Sequence, residues 1–225
     1  MSPPNYDRVV ASLIPGYASL ARLSVSLLAA SPLARHPGAS VLVAGCGSGA
    51  ELLGARALRP DWRLTALDPS EAMLALAQRK LEPSPIAAAP TIEWVQGTVE
   101  DLPGEPAFDG AMAVLVLQGL PDDGGKLRFL ASLARALRPG AQAVLIDQTQ
   151  PERNGLEDQL IAARQLFQRT ESDAAEGRAS LDALGEVHPI GLTRLTSLLE
   201  ATGFSDPIPV FRALDYEGFL VQRLS

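Results

Sequence analysis

The chain has 225 residues, of which 47% are hydrophobic and 20% charged, and its formal net charge is -7. Acidity of that size repels phosphate backbones, so nucleic acid is not an expected partner, and the length suits one α/β unit with one core. A single cysteine excludes an internal disulfide framework, and with only two histidines beside it a metal site of the usual spacing is excluded as well.

In chain order, residues 3–31 read as helical, interrupted at Pro15-Gly16. The apolar stretch Ser19–Ser31 is too short to span a bilayer and carries Arg22, while Leu20, Leu23 and Leu27 recur at helical spacing. No membrane partner and a cytoplasmic location are therefore expected. Val41–Ala44 is a short apolar run that predicts a buried parallel strand. Glu51–Leu58 follows as a helix, stopped before Pro60. Trp62–Leu67 is a second strand, and Ser70 caps a helix through Met73, Leu74 and Leu76 to Leu81. After a proline-rich loop at 82–90, Thr91–Val95 and the almost wholly apolar Phe108–Leu117 are the third and fourth strands.

Asp123–Leu137 is a helix ending at Arg138-Pro139-Gly140, and Ala143–Ile146 is the fifth strand. Residues 153–184 are charged and helical; Leu192–Ala201 is a helix ended by Thr202-Gly203. Phe204–Leu224 reads as two closing strands turning near Leu214-Asp215. Five strand–helix alternations predict an α/β doubly wound, mostly parallel, seven-stranded sheet with helices on both faces. The expected layout is one unit over 1–225: a helical cover (1–38), a nucleoside-binding core (40–147), a helical insertion after the fifth strand (148–190), and a final helix with closing strands (191–225).

The first strand leads into Gly45-Cys46-Gly47-Ser48-Gly49. Glycines here permit positive φ and a close backbone approach to a ligand, and the next helix offers unpaired N–H groups. Asp68, nineteen residues after Gly49, ends the second strand, where a carboxylate can accept hydrogen bonds from ribose hydroxyls. Together these form a nucleoside-binding constellation. Gly45-x-Gly47-x-x-Ala50 also fits the looser dinucleotide pattern, which stays open on these residues alone.

The order of motifs resembles the class I S-adenosylmethionine (SAM) dependent methyltransferases over about residues 40–147. "VLVAGCGSG" resembles their first motif and "LTALDPSEAMLALA" their second; "GTVEDLP", "FDGAMAVLVLQGLPD" and "LARALRPGAQAVLID" resemble the adenine loop, the fourth strand with its active-site loop, and the fifth-strand region. The resemblance implies a Rossmann-like fold with SAM as cosubstrate, held by Gly45, Cys46, Gly47, Gly49, Asp68, Pro69, Met73, Thr98, Val99 and Leu117. Tyr6 joins this set from the N-terminal segment, which in this fold often covers the site. "YDRVVASLIPGYASL", "LIDQTQPE", "FQRT", "GRASLDAL" and "LEATGF" are similar to segments of the carboxy-SAM synthase family, whose carboxylate-holding arginine corresponds to Arg178.

Two positions depart from the family pattern. Val43 stands where a carboxylate usually helps hold the α-ammonium of SAM's methionine tail, and Thr98 stands where the adenine loop usually has Asp. Loss of the carboxylate would leave the amine neutral more readily. That opens an alternative in which the amine attacks SAM's own γ-carbon, giving methylthioadenosine and azetidine-2-carboxylate.

Methyl transfer from a sulfonium is an in-line displacement, so positioning supplies much of the rate. Candidates for chemistry are Asp147, Gln118 and Tyr17; Phe167 and Arg169 are candidates for closing the pocket. His36 and His188 flank prolines and read as loop residues, and Cys46 as turn packing. The expected activity is methylation of a small molecule, with SAM cyclisation, carboxy-SAM synthesis and a non-catalytic SAM-binding regulator as alternatives. The amphipathic helices leave room for a homodimer.

Overall fold

A computed structural model describes residues 6–82, 91–150, 155–169 and 186–225. The strands are β1 (Ser40–Ala44), β2 (Arg63–Asp68), β3 (Thr91–Gln96), β4 (Phe108–Val114), β5 (Leu137–Gln148), β6 (Ile208–Ala213) and β7 (Tyr216–Gln222). They form one sheet in the order β3-β2-β1-β4-β5-β7-β6. All pairings from β3 to β5 are parallel, whereas β7 runs antiparallel to β5 and β6. The order reverses between β1 and β4. In such sheets a crevice opens beyond the strand ends at that switch point.

Alternation along the strands divides the core. Val41, Val43, Leu64, Ala66, Met112, Val144 and Ile146 pack under α2 (Tyr17–Ala29), α3 (Ala50–Leu58) and α4 (Glu71–Lys80). Leu42, Ala44, Ala111, Ala113, Ala143 and Leu145 pack under α5 (Gly125–Ala136) and, after α6 (Glu157–Arg169), α7 (Leu192–Ala201). Burial on both faces explains the uninterrupted apolar runs of β1 and β4.

The N-terminal α1 (Tyr6–Leu13) meets α2 at 94°, and Gly16 takes the bend at φ 79°. Val10 and Leu13 of α1, with Ile14 just after it, pack with Tyr216 against Tyr17, Leu115 and Phe211. The helix thereby lies over the exit of β4 and the β6–β7 hairpin. No single helix among the described residues is long and apolar enough to cross a membrane.

The bounds of β4 and β5 differ from the sequence expectation. β4 stops at Val114 instead of Leu117, because Leu115 turns to φ 62° and starts a loop toward a 3-10 turn at Leu117–Gly119. β5 begins at Leu137, directly off α5, not at Ala143. Its register against β4 jumps from Phe108↔Leu137 to Gly110↔Gln142, so Arg138-Pro139-Gly140 forms a bulge within the strand. Between β3 and β4 only a 3-10 turn, Val99–Asp101, is formed. Beside it lies a groove of about 560 Å³ lined by Arg63, Glu93, Asp101, Glu105 and Phe108. The part of the expected insertion at 170–185 falls outside the described residues.

Candidate nucleoside site

The three glycines after β1 do different work. Gly45 has φ 68°, and a Cβ there would lie 2.6 Å from Cγ2 of Val116, so this glycine lets the β1 and β4 loops touch. Gly49, at φ 88°, precedes α3 and would place a Cβ 3.0 Å from Ala77 Cβ of α4. Gly47 has φ 50°, and a Cβ there meets nothing nearer than the Gly45 carbonyl at 4.0 Å. Two glycines are therefore consumed by packing, and the middle one faces open space.

Asp68 is 7% exposed at the end of β2. Its Oδ2 accepts the Gly47 N–H at 2.8 Å and its Oδ1 accepts the Ser70 N–H at 2.8 Å. The carboxylate thus braces the glycine loop, and each oxygen retains a lone pair for a ligand hydroxyl. Cys46 is buried, its N–H bonds the Leu67 carbonyl at 2.9 Å, and burial pushes its thiol up to about 12. It is a packing residue. Pro69 is exposed beside Asp68, and Met73 sits half-buried in the first turn of α4, its N–H bonded to the Ser70 hydroxyl at 3.3 Å.

Thr98 is exposed beyond β3, where its hydroxyl and N–H donate to Asp101 at 2.9 and 2.8 Å. The Val99 and Leu117 side chains are buried in the α5-side core, so only their backbones remain for a ligand. Arg178 lies outside the described residues.

α1 is anchored to the glycine loop. Asp7 accepts a hydrogen bond from the Ser48 hydroxyl and pairs with Lys80 of α4. Beside this anchor stand Tyr6, Tyr17 and a residue that sequence inspection passed over, Glu51. Glu51 follows Gly49 by two residues and is only 8% exposed; burial, and secondarily the Asp7 charge, raise its carboxyl to about 7. Burial, then the Glu51 charge, raise the phenols of Tyr6 and Tyr17. One signal was available in the sequence: Glu51 shares the helical stripe of Leu52 and Ala55, which is buried throughout.

Of the candidates Asp147, Gln118 and Tyr17, the first two lie together on the α5 side and Tyr17 lies at the glycine loop. Asp147 is half-buried on the α5 side, where it accepts the Gln118 N–H at 3.0 Å and the N–H groups of Leu117 and Val116 also point at it. The Gln118 Oε1 accepts the Gln148 N–H at 2.8 Å. Both line a cavity of about 20 Å³ with Lys126, Leu195 and Phe219, with no residue of the glycine loop. Burial raises Asp147 to about 7 and lowers Lys126, whose ammonium bonds the Leu117 carbonyl. These groups knit the loop after β4 to the end of β5. Tyr17 does reach the glycine loop, but its raised pKa keeps it a hydrogen-bond donor and not a base. Phe167 on α6 is 38% exposed; Arg164 of the same helix pairs with Asp215 of the β6–β7 turn.

A mostly parallel α/β sheet with a glycine loop and an acid at the ends of adjacent strands has the architecture of the Rossmann-like class. Residues 41–140 match the family profile described as "Methyltransferase domain". The chain is 34% identical over 120 residues to 2-phytyl-1,4-naphtoquinone methyltransferase of Synechococcus elongatus, covering 52% of this chain and 49% of that one. It is 40% identical over 121 residues to trans-aconitate 2-methyltransferase of Methylobacterium nodulans, covering 53% and 41%. The chain thus matches about half the length, or less, of these relatives. Among solved structures, human N-acetylserotonin methyltransferase in complex with SAM aligns at TM-score 0.64 and 19% identity, covering 100% of this chain and 57% of that one. Magnesium protoporphyrin IX methyltransferase from Synechocystis PCC 6803 with bound SAM aligns at 0.62 and 19%, covering 99% and 84%. Over residues 41–140 the chain is thus similar to methyltransferase domains.

Proposed function

We propose that the chain binds SAM across the Gly45–Gly49 loop and transfers its methyl group to a small, largely apolar ring bearing a hydroxyl. The observation that carries this reading is Gly47: open space above it, its N–H fixed by Asp68, at the switch point of the sheet. Asp68 would take the ribose hydroxyls, and the N–H groups of the turn beginning at Val99 would meet the adenine edge. All seven strands share one sheet, which supports reading the chain as one SAM-binding unit.

The acceptor class is supported from two directions. Tyr6, Tyr17, Leu115, Phe211 and Tyr216 gather where α1 crosses the sheet edge, giving an apolar and aromatic approach. Several relatives carry names of methyltransferases for quinone-type rings. In the reaction the acceptor oxygen attacks the methyl carbon, the carbon–sulfur bond breaks toward sulfur, and adenosylhomocysteine leaves. The hydroxyl proton passes to solvent or buffer. With Asp147 half-buried elsewhere and Tyr17 held protonated, the chain's contribution is alignment and water exclusion.

No observation favours cyclisation. It presumed that an apolar wall replaces the missing acid, yet Val43 is buried in the α2–α4 core and Glu51 supplies a carboxylate beside the loop. Incubation with methyl-labelled SAM and a panel of quinols and phenols tests the proposal. Adenosylhomocysteine formed only in the presence of an acceptor is expected. Methylthioadenosine formed without one would overturn it.

A further inference from the structure

A buried carboxylate without a counter-charge is costly, and proteins keep one where a ligand completes it. Glu51 is such a group. Among the described residues no cation faces it and no other residue's side chain bonds it; its own backbone N–H, in the first turn of α3, is the one hydrogen-bonding group directed at it. Only 8% exposed, it stands in the first turn of α3 two residues after Gly49, and its charge raises Tyr6 of α1, Tyr17 of α2 and Cys46 of the loop. Lys80, the nearest cation to this cluster, is committed to Asp7. The Asp7 carboxylate in turn accepts from Ser48, leaving Glu51 as the acid still to be neutralised.

Resting on the SAM reading above, we propose that Glu51, from the first turn of α3, receives the α-ammonium of the methionine tail in place of the acid absent at Val43. The residue is reached by moving the carboxylate from the strand before the glycines to the helix after them. Tyr6 and Tyr17 of the helical cover stand on the same side, so the tail would lie between loop and cover. Binding is then coupled to proton release. The Glu51 carboxyl gives its proton to the buffer as the ligand's –NH₃⁺ arrives, and a carboxylate–ammonium pair replaces a neutral acid.

The test is calorimetric titration with adenosylhomocysteine, which has the tail, and with methylthioadenosine, which lacks it. Runs at pH 7 in two buffers of different ionisation heat count the protons released. Wild type should bind adenosylhomocysteine with release of about half a proton and methylthioadenosine with none, given a group titrating near the working pH. Glu51→Gln should weaken adenosylhomocysteine about 10- to 100-fold, abolish the release and leave methylthioadenosine unchanged. Glu51→Asp should restore part of the release. Equal weakening of both ligands by Glu51→Gln, or unchanged adenosylhomocysteine affinity, would overturn the assignment of Glu51. Wild type that binds neither nucleoside would overturn the SAM reading beneath it.

Discussion

At Gly45, Gly47 and Asp147 single atoms decide the outcome. Gly45→Ala puts a methyl 2.6 Å from Val116 at φ 68°, combining overlap with left-handed strain. A loss of about 2–4 kcal/mol in urea-induced unfolding is expected. Gly47→Ala meets open space at φ 50° and should cost about 1 kcal/mol, yet lower SAM affinity at least ten-fold because the methyl fills the ligand's side of the loop. Asp147 carries a folded-state pKa of about 7 against an ordinary 3.8. Between those values the unfolded chain has lost a proton that the folded chain keeps, so the group's contribution to stability falls as pH rises and levels off above about 7. Asp147→Asn should therefore gain on wild type from pH 4 to pH 7 in urea midpoints, and a difference flat with pH would contradict this. Asp68 and the glycines were readable as types at a spacing. The burial of Asp147 was not, because an apolar run ending in Asp looks the same whether the carboxylate meets a cleft or caps a turn of the chain.

Among the elements, α1 carries the testable consequence. It is held by Asp7 to Ser48 of the glycine loop and to Lys80 of α4, and hinged at Pro15-Gly16. Asp7→Asn should loosen α1 while leaving the sheet intact. Amide exchange of residues 6–13 should speed up about three- to ten-fold in the variant, and SAM should slow it in wild type, since the ligand would lie beneath that helix. Exchange that ignores both changes would contradict the role of α1 as a cover. The helices and parallel strands were legible from periodicity, and Ser70 as a cap was correct. The early start of β5 was hidden because Arg138-Pro139-Gly140 looks like a stop; tertiary pairing of Leu137 with Phe108 of β4 overrides it. Leu115 at φ 62° likewise ends β4 where hydrophobicity continues, since a packed loop can impose what propensity disfavours.

For the whole molecule, ligand binding and folding are linked. SAM at a hundred times its Kd should add about 2.7 kcal/mol and raise the melting temperature by about 5–10 °C. The doubly wound sheet followed from motif order along the chain. The juxtaposition of α1 with Glu51, separated by the whole of α2 and β1, could come only from the folded arrangement. The most direct measurement is a crystal structure of the protein grown with adenosylhomocysteine. The account predicts the adenosyl group over Gly47, its ribose hydroxyls within hydrogen-bond distance of Asp68, and its tail ammonium at Glu51. A nucleoside bound elsewhere, or a crevice left empty at saturating ligand, would contradict it.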